Sequence, residues 1–448
     1  MQTSRILVTV SIALLICLDN SAQNTGTTLS LKQAVETAIA NNLDVKQSGL
    51  NMDRAEINWR QARENLLPSL NGSINHYSNS GRNIDYATNS YVNQQYTSAQ
   101  YNLNTNVTLF NGLRLMNQIK SNAYAYEAGK MTWQQSKERL MLQVMLAYLT
   151  VLTDIDLLEQ AKKQVAISKS QVDRLTILNN EGALKPVSDL YDLKTQLAAN
   201  DLTVINTQNN LDQARVSLAQ LMNVPYDKDL LVERLPTDQF DMNYAATPDS
   251  IYQVAMQQLP LIKAADLNIK SFEKSVQAQK GNYFPNVGFG AGYGTNYSST
   301  ALDANNKKIS YYDQLSNNYG TYIGIGISIP ILNGFQVHNR VAQSKLDLKN
   351  AEYIAQTTKI QLKQNIEQDY FNMTANLNRY KTLQDQVASA SESFRITEVR
   401  FNNGVINSVD YGISKNQLDQ ANVNLIIARY DYVLYTKILD YYQNKPLW

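Results

Sequence analysis

Histidine and cysteine are almost missing from this 448-residue chain, which has two histidines, His76 and His338, and a single cysteine, Cys17. Zinc sites, thiol catalysis and serine-histidine chemistry draw on those residues, so an enzyme would have to work with carboxylates, lysines or tyrosines alone. A net charge is nearly missing too. Lys+Arg number 40 and Asp+Glu 39, which argues against a basic nucleic-acid binder and against an acidic disordered chain. No phosphate-cradling glycine loop is present, because Gly288 to Gly294 alternate within a strand pattern and lack the Lys-Ser/Thr that would hold a phosphate. Nothing here calls for a cofactor or a resident metal. Beyond the first residues, no uninterrupted apolar stretch approaches the ~20 residues a membrane helix needs. A membrane could then be crossed only by a closed β-barrel, since only a barrel or a helix satisfies every backbone hydrogen bond in lipid.

What is present begins with a leader. Arg5 precedes an apolar run from Ile6 to Leu18, about the length of a signal-peptide core, and residues 1–22 read as a secretion signal. Small residues at Ser21 and Ala22 offer cleavage before Gln23, which would remove Cys17. The competing reading makes Cys17 a lipidated N-terminus, but Leu15-Ile16 before it lacks the small residue such processing prefers.

The remainder is organised by an internal repeat at an offset of about 222 residues. Asn111-Gly112 falls opposite Asn333-Gly334, and Gly182 opposite Gly404. Val144, Tyr148, Val151, Ile155 and Leu158 fall opposite Ile366, Tyr370, Met373, Leu377 and Tyr380, with spacings of four and three that mark a coiled-coil seam. From Gly112 to Leu178 and from Gly334 to Arg400 there is no proline and one internal glycine, Gly129. Each stretch therefore predicts one helix of about 67 residues, roughly 100 Å long. The rods end in turns near residues 179–187 and 402–407, and returning helices are expected from the N-caps Ser188 and Ser408.

Upstream of each rod the period changes to two. Tyr101, Leu103, Thr105, Val107 and Leu109 alternate with asparagines and threonine, Val287 to Tyr293 with glycines, and Ile323 to Ile329 with Gly324, Gly326 and Ser328. Strands are expected at about 68–78, 100–110, 285–297 and 319–332, the first entered by Pro68, the third by Pro285. Polar Tyr- and Asn-rich loops separate them at 78–99 and 298–318. Residues 23–223 and 249–448 are then two structural repeats, joined by a proline-bearing linker at 224–248. Two strands per repeat cannot close a barrel, so the chain must oligomerise to use them in a membrane. The apolar face would meet lipid, and Asn, Gly, Ser and Thr would line water.

This order, helix, strand, strand, long helix, tip and returning helix, given twice after a signal peptide, resembles the TolC family of outer-membrane efflux proteins from Leu29 to about Asn444. The most specific motifs are the corners Thr108-Leu109-Phe110-Asn111-Gly112 and Ile329-Pro330-Ile331-Leu332-Asn333-Gly334, and the tip turns at Gly182 and Gly404. The resemblance implies a mainly α fold with transmembrane β structure, a homotrimer with four strands per protomer in a twelve-stranded outer-membrane barrel, and a periplasmic α-helical barrel. It also implies a passive exit duct for efflux or type I secretion, with a periplasmic adaptor and an inner-membrane RND or ABC transporter as partners and no enzymatic activity.

Residue by residue, the family's adaptor-contacting tip falls on Gly182-Ala183-Leu184 and Gly404-Val405-Ile406, where helix termination alone also explains the glycines. Its acidic periplasmic entrance falls on Asp189, with Asp192 one turn on, and on Asp410. In a trimer, Asp189 and Asp410 would gather six carboxylates able to attract weakly bound cations. The alternative is that each stabilises a helix N-terminus. The sequence departs from the family pattern at Ile413, where a second acid is expected, at Ile406, where a basic residue is expected, and at Phe401, where tyrosine is usual. The charge pair that locks the entrance should therefore be missing or rebuilt, leaving apolar contact to hold it closed. Two other functions compete. One is a non-conducting coiled-coil protein of the envelope, which would not need the isoleucine-glycine alternation; the other is an envelope hydrolase, whose only suggestive carboxylate pair, Asp189 and Asp192, lies at a hairpin tip.

Overall fold

The computed structural model describes residues 28–85, 89–93, 95–181, 186–235 and 244–446; the leader and Cys17 lie outside them. The chain is mostly helical and divides into two compact units, one of Met1–Val45, Lys137–Ile251 and Asn365–Trp448, the other of Lys46–Ser136 and Tyr252–Gln364.

In the second unit, four strands form one antiparallel sheet in the order β1 (Ser69–Asn79), β4 (Tyr96–Phe110), β5 (Asn286–Ser298), β6 (Gly320–Ser328). Its register sorts the side chains. Leu103 lies opposite Tyr293, Val107 opposite Phe289, and Phe289 opposite Ile325, while Asn104 lies opposite Gly292 and Asn71 opposite Asn104. Because the side-chain period is two, one face collects Leu70, Ile74, Leu103, Val107, Phe289 and the isoleucines, and the other collects asparagine, serine and glycine. No Lys, Arg, Asp or Glu occurs in any of the four strands. A bulge near Thr108/Phe110 ends the regular pairing of β4 with β5.

Three details differ from the sequence reading. The last strand stops at Ser328, because Pro330 cannot donate to a ladder. The loop at 78–99 contains a hairpin of its own, β2 (Arg82–Asp85) with β3 (Ser90–Asn93). The loop at 298–318 contains the short helix α7 (Tyr311–Asn317), in which buried Gln314 accepts from Ser298 N at 2.8 Å and donates to Ser298 O at 2.9 Å.

Helices α1 (Leu31–Asn41) and α2 (Leu43–Glu64) precede β1, and α5 (Pro248–Gln258) and α6 (Pro260–Gly281) precede β5. Ser30 opens α1 with a capping box to Gln33. The break to α2 is local chemistry: Asn42 turns extended, and its side chain accepts from Asp44 N at 2.9 Å and Val45 N at 3.2 Å.

The long helices α3 (Arg114–Asn180) and α8 (Gln336–Asn402) are 67 residues each, and each starts from two consecutive left-handed residues, Gly112-Leu113 and Gly334-Phe335. They return as α4 (Val187–Met222) and α9 (Ser408–Tyr442). One stretch of α3 has the length and hydropathy of a membrane span, but Leu140, Val144, Met145, Tyr148, Leu149, Val151 and Leu152 are buried in packing. The described residues that follow α4, up to 235, are tied down. Val232 bridges Leu29, the buried Tyr148 hydroxyl lies between two carbonyl acceptors, Leu29 O at 2.8 Å and Glu233 O at 2.7 Å, and Arg234 meets Asp156 at 3.0 Å. Arg429 and Tyr430 complete that knot on Asp156, where burial and the carboxylate together push the Tyr430 phenol up to about 12.

Candidate functional site at the helical hairpin tips

At the end of α8 the chain reverses through Gly404, which takes φ +73. Gly404 N donates to Phe401 O at 3.0 Å and Val405 N to Arg400 O at 2.9 Å, so carbonyls left open by the helix end are satisfied. Arg174 of α3 adds a charged donor to Asn402 O at 3.0 Å, favourable at the negative end of a helix. Asn407, not Ser408, then caps α9, accepting from Asp410 N at 3.0 Å; Ser408 is already the first helical residue. In the other hairpin α4 starts at Val187 after Pro186, whose fixed φ suits a helix start, and Ser188 lies inside the first turn rather than capping it. Gly182, Ala183 and Leu184 lie outside the described residues.

Between the hairpins sits an apolar cluster of Val172, Leu175, Leu190, Leu193, Phe394, Phe401 and Tyr411, with Leu197, Ile406 and Leu418 partly buried against it. Phe401, only 1% exposed, stacks on the Tyr411 ring at 4.7 Å, and Phe394 tilts against it at 5.4 Å. Phe401 and Ile406 are thus packing residues within one chain. Burial, followed by the charges of Glu398 and Asp419, pushes the Tyr411 phenol well above its ordinary value and keeps it protonated.

The acidic residues divide. Asp189 is 5% exposed, and its carboxylate accepts from Ser408 Oγ at 2.8 Å and Ser408 N at 3.4 Å, while Asp192 lies 2.8 Å from the same hydroxyl. Asp189 therefore bridges two helix N-termini, its own and that of α9, where partial positive charge favours a carboxylate. Asp410 stays exposed. The side chains expected to share one ring have different surroundings, Asp189 held by a serine hydroxyl and Asp410 open. Sequence reasoning placed Ser408 as a cap and missed this bond, which joins residues 219 apart. Among the described residues of the two tip motifs, Val405 stays open, at 65% exposure.

Removing the Phe401 ring should cost ~3–5 kcal/mol of tip stability, the usual loss for a buried aromatic. Hydrogen exchange of Phe401→Ala should quicken in the last turns of α8 and the first turns of α9 but not in α1. Wild-type exchange there would mean that the cluster does not hold the tip.

A family model described as outer membrane efflux protein matches residues 34–224 and 251–435, spanning both hairpins and all four main strands. The chain belongs to that family. Outer membrane efflux proteins are ducts rather than an enzyme class, and this member's place is the outer membrane. It is 27% identical to the outer membrane protein TolC of Salmonella enteritidis and 26% identical to that of Escherichia coli K12, in each case over 90% of this chain and 80% of the relative. The crystal structure of the outer membrane protein VceC from Vibrio cholerae superposes with a TM-score of 0.78 at 14% identity, covering 93% of this chain and 97% of that one. At such identity the likeness speaks for the fold.

Proposed function

We propose that three copies of this chain join their four-stranded sheets into one twelve-stranded barrel in the outer membrane, continued by their long helices as a periplasmic tube. The homotrimer is a passive exit duct that receives small molecules or proteins from an inner-membrane RND or ABC transporter through a periplasmic adaptor. The observation that carries this reading is the sheet itself. Among the described residues no strand pairs with the outer edges of β1 and β6, and Ile323, Ile325 and Ile327 of β6 are 79%, 67% and 65% exposed. Lipid tolerates apolar side chains but not open strand edges, so the sheet needs a neighbour at each edge, and pairing β6 with β1 of the next copy supplies both. The asparagine, serine and glycine face then lines water.

At the hairpin tips, Gly404 and Val405, with Gly182, Ala183 and Leu184 of the other hairpin, present small apolar groups to the adaptor. Asp410 contributes three carboxylates to the entrance and attracts cations weakly. Asp189, with Asp192 beside it, is drawn inward by Ser408 and holds the two hairpins together, while the cluster around Phe401 and Ile406 stiffens each tip. The test is mass and conduction. The protein extracted from outer membranes should be a heat-modifiable particle of three chains that forms cation-selective pores in planar bilayers. A single-chain mass, or a trimer without current, overturns the reading.

A further inference from the structure

Glycine at every second position of β5, from Gly288 to Gly294, leaves the polar face of that strand without side chains, a shallow trough between β4 and β6. The neighbours fill part of it. A Cβ at Gly292 would stand 2.3 Å from Tyr322 Cε1 and 2.6 Å from Asn104 Oδ1, and one at Gly294 would stand 2.8 Å from Asn102 Oδ1. The Tyr322 ring therefore lies on bare backbone, reaching Asn104 Oδ1 with its hydroxyl at 3.4 Å, yet it remains 56% exposed. Glycine within a strand marks close approach, and here the approaching group is this ring.

Beside the ring opens a cavity of about 360 Å³, lined by Gln100, Asn102, Asn104, Asn296, Asn318 and Tyr322 among others. Its chemistry is narrow. No strand residue on this face is charged, so a phosphate finds no cation and a metal ion no carboxylate. An apolar solute would have to strip water from five side-chain amides without replacing their hydrogen bonds. Each amide offers donors and an acceptor together, which is what vicinal hydroxyls require, and the ring offers a flat apolar surface for the C–H face of a sugar. We propose that this trough is a binding site for neutral saccharides inside the barrel, with Tyr322 as stacking platform and Asn102 and Asn104 as hydroxyl-reading groups. This rests on the duct reading, because only a water-filled barrel makes this face reachable.

The probe is maltohexaose added to single trimers in planar bilayers, with an uncharged polyethylene glycol of equal hydrodynamic size as reference. Maltohexaose should interrupt the ion current saturably and with longer dwell than the polymer. The apparent affinity should fall about tenfold in Tyr322→Ala and in Asn102→Ala, and stay within about twofold in Tyr322→Phe. Interruption from the helix side marks a site met by a solute in transit; interruption from the loop side alone marks a site for glycans outside the cell, and either supports saccharide binding. If conducting trimers respond to the sugar no more than to the polymer, or if both alanine variants that still conduct bind as the wild type does, the site is refuted and the duct stands. Should there be no current at all, both fall.

Discussion

Arginine at Ile325 should prevent assembly in the outer membrane, whereas arginine at the adjacent Gly324 should leave assembly intact and turn the pore toward anions. Ile325 lies on the face shared with Phe289 and Val287 and is 67% exposed. If that face meets lipid, a guanidinium there costs ~2–4 kcal/mol per chain at mid-depth, and three copies suffer it together. Gly324 points the other way, opposite Gly290, and an added Cβ meets nothing within 4 Å. Its arginine would project into water and set a ring of three positive charges on a wall that has none. Fractionation and the heat-modifiable trimer band test the first variant, and the reversal potential in a salt gradient tests the second. Equal behaviour of the two variants would show that the faces had been assigned wrongly.

Alanine at Gly112 should be far more harmful than alanine at Gly334, although the two occupy equivalent corners. Both glycines adopt left-handed backbone, φ +64 and +58, which costs an alanine ~1–2 kcal/mol. The surroundings separate them. At Gly112 the new Cβ would stand 2.4 Å from the Gly281 carbonyl oxygen and 2.7 Å from Phe284 Cβ, a backbone overlap that no rotamer relieves; at Gly334 nothing lies within 4 Å. Overpacking adds roughly another 1–3 kcal/mol at Gly112. Trimer yield and the temperature at which the trimer dissociates on a gel should fall steeply for Gly112→Ala and only slightly for Gly334→Ala. Matching losses would mean that the corner strain, not the contact with α6, decides.

The first prediction could be framed from the sequence, since alternation of isoleucine with glycine assigns the two faces before any strand is paired. The second could not. The repeat makes Gly112 and Gly334 look alike, and only the arrival of Gly281 and Phe284 beside one of them breaks the equivalence. The tips show the same limit. Phe401 and Ile406 could be matched to positions of an entrance, but a position does not say whether a side chain faces the bore or its own hairpin. Packing turned Phe401 inward onto Tyr411.

The strand faces, the two uninterrupted long helices and the glycine corners were determined by the sequence alone, because each follows from the spacing of a few neighbouring residues: period two, period three to four, or a glycine where φ must be positive. The β2–β3 hairpin and α7 escaped, since polar, Tyr- and Asn-rich runs carry no clear period. Tertiary structure alone decided that Asp189 is held by Ser408 and that Tyr322 lies on Gly292. These contacts join residues far apart in the chain, and their partners are chosen by how helices and strands pack, which local spacing does not encode.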